Sequence, residues 1–138
     1  MDTLTRARRS ENMRRIRSTG MKPELIVRSL IHRLGFRFRL HAPELPGKPD
    51  IVRRRSKQAI FVHGCFWHQH PSEKCLDGRL PKSNTSYWHP KLSRNVERDL
   101  LAIRSLKKAG WRVLVIWECE TRNIAQLGRR LRQFLHSR

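Results

Sequence analysis

PGKPDIVRRRSKQAIFVHGCFWHQH, residues 46–70, holds two short extended segments followed by eight residues carrying three histidines, a cysteine and two adjacent aromatics. DIVRRR begins at Asp50, straight after a Pro-Gly-Lys-Pro loop, and reads as a strand. QAIFVH, residues 58–63, is apolar enough to lie in the middle of a sheet. The turn between them contains Ser56 and Lys57, so the two strands are expected to form a hairpin.

Outward from this hairpin the chain alternates between elements. Residues 23–34, PELIVRSLIHRL, predict a helix with Pro23 at its first position and Gly35 as its stop. Ile26, Leu30 and Leu34 share one face, with Val27 and Ile31 beside them. FRFRLH, residues 36–41, alternates as a strand with Phe36, Phe38 and Leu40 on one side. Residues 71–88 read as irregular, and a loop of that length in a small domain calls for an anchor or a function. Residues 90–109 predict a helix buried along Leu92, Val96, Leu100 and Ile103. WRVLVIWE, residues 111–118, is the most hydrophobic strand, and Ile124, Leu127, Leu131 and Leu135 mark a terminal amphipathic helix. The order implies an α/β fold, a mixed sheet with helices against it.

The 138 residues fit one domain, 1–138. Lys and Arg number 31 against 11 Asp and Glu, a formal charge of +20. Such self-repulsion is relieved by a polyanion, and nucleic acid is the expected partner. Residues 1–18 form a basic arm, expected to order on that partner. No run of 18 apolar residues spans a membrane and no apolar signal segment opens the chain, so an intracellular, cytoplasmic protein is expected. There the three cysteines would stay reduced.

Four groups of residues carry chemistry. Cys65, His70, Cys75 and Cys119 make a Cys3His set, a common structural zinc shell, which would anchor the irregular loop to the sheet. Asp50 opens a strand whose neighbour ends at His63. That is the layout of PD-(D/E)xK nucleases, with His63 in the lysine position and Phe61 where a second carboxylate is usual. A carboxylate there would hold Mg²⁺ against a scissile phosphate. A histidine titrates near neutral pH, so the pair His63 and His68 can supply a general base and acid, unless they are extra zinc ligands or exposed imidazoles. Phe66 and Trp67 cannot both face a core, so at least one should project outward as a candidate wedge between base pairs. Glu24, in the first turn of its helix, complements the helix dipole.

Together these residues resemble the very-short-patch repair (Vsr) DNA mismatch endonuclease family. The matching segments are ENMRRIRSTG, LPGKPDIV, FVHGCFWHQH, RNVERD and GWRVLVIWEC, which cover residues 11 to about 120. The resemblance implies a restriction-endonuclease-like fold and Mg²⁺-dependent nicking of duplex DNA 5′ to the T of a G·T mismatch, the product of 5-methylcytosine deamination. It implies that Asp50 binds Mg²⁺ with the backbone carbonyl of Val62, that His63 and His68 form the catalytic pair, and that Glu24 is an active-site carboxylate. It further implies structural zinc on Cys65, His70, Cys75 and Cys119, intercalation by Met13, Phe66 and Trp67, and contacts from Lys91 and Asn95 to the mismatched pair. The expected assembly is a monomer associated with the bacterial nucleoid, with mismatch-repair proteins as further partners. Val62 departs from an expected threonine, and Gln69 replaces one histidine of a longer run. Two other readings explain the same charge: a non-catalytic zinc module that binds nucleic acid, and a related nuclease with a different DNA target.

Overall fold

The computed structural model describes residues 22–72, 75, 78 and 82–137. The basic arm and Met13 lie outside the described residues. The elements are α1 (Pro23–Arg33), β1 (Arg39–Leu40), β2 (Ile51–Arg53), β3 (Gln58–His63), α2 (Thr85–Lys108), β4 (Arg112–Trp117), a 3₁₀ turn (Glu118–Arg122) and α3 (Ile124–His136). The sheet is mixed and ordered β1-β2-β3-β4. The β1–β2 and β2–β3 pairs are antiparallel, and β3 runs parallel to β4 with six residues in register, from Gln58 beside Arg112 to His63 beside Trp117.

Strand alternation sends side chains to two cores. Ile51, Ile60, Leu114 and Ile116 meet the buried faces of α1 and α3, while Val52, Ala59, Phe61, Val113 and Val115 meet α2. Helices therefore cover both faces, and β3, buried on both, is the continuous apolar run that its position demands. Gln58 is buried, but its amide is satisfied: Nε2 donates to Phe134 O at 2.9 Å and Oε1 accepts from Arg53 Nη1 at 2.6 Å. This ties the end of α3 to the sheet. No helix among the described residues is long and apolar enough to cross a membrane.

The expected strand over 36–41 is cut to Arg39–Leu40, because β2 offers only three residues for pairing. Its alternation survives: Phe36, Phe38 and Leu40 still pack on the core. The helix expected over 90–109 begins earlier, at Thr85, with Pro90 inside it. Proline removes one backbone bond there. Tyr87 and Trp88 supply the compensation by packing on each other, with Trp88 also against Phe66 and Trp67. The buried stripe also shifts. Leu92, Ala102 and Leu106 are buried, whereas Leu100 is 57% exposed. Asp99 is half-buried beside Val96 and Ile103.

Leu131, fully buried, should cost about 2–5 kcal/mol on change to Ala, whereas exposed Leu100→Ala should stay within about 0.5 kcal/mol. Urea denaturation of both variants checks this, and equal losses would refute the stripe described here.

Candidate active site and metal centre

The β2–β3 hairpin delivers the first acid. Pro46 and Gly47 form a tight turn in which Lys48 N donates to Leu45 O at 3.0 Å and Gly47 has φ +72°. A Cβ on Gly47 would sit 2.6 Å from the Ala102 Cβ and 3.2 Å from the Phe61 ring. Glycine is thus required twice, by conformation and by the close approach to α2. The chain then enters β2 at Asp50, whose N–H donates to Ile60 O at 3.1 Å. Its Oδ2 accepts from the Val62 N–H at 2.7 Å, so the carboxylate is fixed to the neighbouring strand. Burial raises the Asp50 pKa, Val62's hydrogen bond opposes this, and nearby Glu24 raises it further; His41 and His68 draw it down.

Glu24 reaches the same place from the first turn of α1. Its Oε1 is buried without a hydrogen-bond partner, and the His41 Nε2 lies 3.6 Å away. Ligand atoms of Glu24, His41 and Asp50 all fall within 4.8 Å of one another, a group that can hold a metal ion.

His63 ends β3, and His68 returns over it through a turn closed by His68 N donating to Gly64 O at 3.1 Å. The two rings stack at 3.9 Å with 4° between planes. His68 Nδ1 donates to Asp99 Oδ2 at 2.5 Å, which fixes the proton on Nδ1 and leaves Nε2 as the basic nitrogen. Asp99 has no counterpart among the sequence assignments. Its signal was available: it lies seven residues after Leu92, on the same helical face. His63 is buried and its pKa falls to about 4, first through loss of solvent and then through its stacked neighbour, with Asp99 opposing. It is therefore neutral at neutral pH.

Cys65, His70, Cys75 and Cys119 form a second possible metal-binding group, again with all donor atoms within 4.8 Å. The β3–β4 register brings Cys65 and Cys119 together just beyond the two strand ends, where Cys119 N donates to Cys65 Sγ at 3.4 Å. His70 Nδ1 lies 3.8 Å from Cys65 Sγ and 3.4 Å from Cys119 Sγ. Donors about 2.1–2.3 Å from one tetrahedral ion stand about 3.5 Å apart, so this spacing fits a shared ion. Without a cation, burial pushes the Cys65 thiol up to about 12 and raises that of Cys119. A Cβ on Gly78 would strike His70 O at 2.9 Å, so the returning loop needs glycine where it crosses the ligand. Trp117 joins the two sites: it stacks on His70 at 4.4 Å and meets the His63 ring edge-on at 5.2 Å.

Of the two aromatics, Trp67 is the exposed one and Phe66 is half-buried against Trp88. Lys91 Nζ lies 5.4 Å from the Trp67 ring and 5.6 Å from the Tyr87 ring, and Asn95 Nδ2 donates to Trp67 O at 3.2 Å. Lys91 and Asn95 thus converge on Trp67 from one face of α2. Trp88 and Tyr87, which sequence reasoning assigned to an irregular loop and its border, complete this aromatic surface.

The family described as DNA mismatch endonuclease Vsr matches residues 1–74. Type II nicking enzyme V.XorIIP of Xanthomonas oryzae pv. oryzae is 47% identical over 134 residues, covering 97% of this chain and 96% of that protein. Type II nicking enzyme V.NmeAIP of Neisseria meningitidis is 42% identical over 134 residues, 97% of this chain and 94% of its own. DNA mismatch endonuclease Vsr of Escherichia coli is 40% identical over 126 residues, 91% of this chain and 79% of its own. A non-catalytic module is thereby set aside. The chain belongs to the Vsr family of DNA mismatch endonucleases and is a DNA endonuclease, a hydrolase.

Proposed function

We propose that this chain nicks duplex DNA 5′ to the T of a G·T mismatch by Mg²⁺-dependent phosphodiester hydrolysis, initiating very-short-patch repair. One observation carries the reading: donor atoms of Asp50, Glu24 and His41 lie within 4.8 Å of one another, with the Asp50 carboxylate fixed to β3 by the Val62 N–H. Two acids and an imidazole sharing one site support this reading, since a restriction-endonuclease-like nuclease would need such a set to hold its ion.

Asp50, the Val62 carbonyl and Glu24 would hold Mg²⁺. The fit rests on the partnerless, buried Glu24 oxygen beside a carboxylate whose ionisation burial opposes. When bound, the ion supplies charge neutralisation at the phosphate. His68 accepts a proton from the attacking water at Nε2, and Asp99 stabilises the imidazolium that results. His63, neutral and stacked on His68, orients that ring and offers a hydrogen bond to the phosphate or the leaving oxygen.

Zn²⁺ is the ion best suited to the three thiols and one imidazole. It would lock the turn that sets the spacing between Trp67 and His68. Trp67 and Phe66 would enter a weakened base step, which is cheaper to unstack at a mismatch. Lys91 and Asn95 would read the exposed pair as Asn95 releases the Trp67 carbonyl. The net charge of +20 supplies the phosphate attraction. The similar proteins named type II nicking enzymes favour a second reading, a nick in a different sequence context or at a different lesion. A cleavage panel of G·T, A·C and fully paired duplexes separates the two, and preference for any substrate but G·T would sink the first.

Asp50→Ala should slow nicking about a thousandfold or more while DNA binding persists, as single-turnover assays with Mg²⁺ would measure. Trp67→Ala should weaken binding to a mismatched duplex by about 10- to 100-fold and leave paired DNA nearly unaffected. Purified protein should carry about one zinc per chain by elemental analysis. Stripping it should lower the thermal midpoint, and Mg²⁺ alone should not restore activity. A metal-free protein of unchanged stability would remove the structural role.

A further inference from the structure

We infer that His41 is a nitrogen ligand to the catalytic divalent ion, and that it tunes this chain toward Mn²⁺ over Mg²⁺. The inference rests on Asp50 and Glu24 serving as the ion's carboxylate ligands.

His41 lies just past β1, and its placement is built in. Its N–H donates to Asp50 O at 2.9 Å, and the next residue, Ala42, donates to Pro49 O at 3.2 Å. The antiparallel ladder thus runs on beyond β1 and sets His41 directly across from Asp50. The backbone there is left-handed, φ +52°, which a histidine adopts only at some cost. Strain of this kind persists where surrounding structure enforces it, and here the ladder does.

The side-chain geometry fits a shared ion better than a direct contact. His41 Nε2 and Glu24 Oε1 are 3.6 Å apart, too far for a hydrogen bond. Two donors on one octahedral ion with bonds of about 2.1 Å stand between about 3.0 Å, when adjacent, and about 4.2 Å, when opposite. The Glu24 oxygen is buried and otherwise unpartnered, and the Asp50 carboxylate completes the group within 4.8 Å. The His41 imidazole itself is largely exposed, so it can swing the short distance that ligation needs.

The chemistry follows from the donor set. Mg²⁺ takes oxygen ligands and keeps its water. Imidazole nitrogen suits later divalent ions, whose affinity for such sites rises along the first transition series. An Asp-Glu-His set therefore discriminates in favour of Mn²⁺ in a way that two carboxylates and a carbonyl do not.

The test is Mn²⁺ binding to the zinc-loaded full chain, followed by electron paramagnetic resonance. Pulsed measurements should detect coupling to an imidazole ¹⁴N in the wild type and in His68→Ala, and lose it in His41→Asn. Asparagine is chosen because it tolerates the left-handed backbone. Mn²⁺ affinity in His41→Asn should fall about tenfold, with Mg²⁺ affinity, measured by competition, changing less than about threefold. Persistence of the nitrogen coupling in His41→Asn, or equal losses for both ions, overturns the inference while leaving the carboxylate site intact. If Asp50→Ala binds both ions as well as the wild type, the carboxylate site itself is wrong and the inference falls with it.

Discussion

Six residues of parallel pairing between β3 and β4 set the geometry of the stacked histidines and of the cysteine–histidine cluster. Parallel strands finish at the same edge of a sheet, so whatever follows their last residues is brought together without further instruction. His63 and Trp117 close the register as neighbours, and Cys65 and Cys119 follow two residues beyond each. A slip of one residue would turn every side chain of β4 to the other face and separate these pairs. The long apolar run of β4 and the two-faced burial of β3 are what hold the register.

The segment after β3 then divides its side chains by direction. Cys65 turns inward to His70 and Cys119, His68 folds back over His63, and Trp67 points into solvent. These orientations are consecutive consequences of a single compact turn, held by backbone bonds from His68 to Gly64 and from His70 to Cys65. Trp117 lies against both the cysteine-histidine cluster and His63, so order in one is transmitted by packing to the other.

Much of this is legible in the sequence. The hairpin, the central place of QAIFVH, the terminal helix and the grouping of Cys65, His70, Cys75 and Cys119 are local or compositional signals, and they appear as expected. The start of α2 was not legible, because Pro90 reads as a helix boundary and only the packing of Trp88 on Phe66 and Trp67 overrides it. Asp99 and His41 were missed for a related reason. Asp99 shares a helical face with Leu92, but its acidic side chain does not itself announce the partner, His68, that it meets across the fold. His41 acquires its neighbours only when β1 and β2 pair, across a turn whose local sequence speaks of proline and glycine alone.

The absence of a side chain at residue 47 has a consequence for how this scaffold can diverge. The turn carrying Asp50 rests against Ala102, and Ala102 belongs to the same rigid helix as Lys91 and Asn95. A change that thickens this contact lifts the helix as a unit. Asp50 then moves relative to Lys91 and Asn95. Specificity in such a molecule is freer to drift through residues at the far, exposed surface of the helix than through the loop that bears the acid. Diversity among relatives should accordingly collect on that surface, with the loop itself kept under steric constraint.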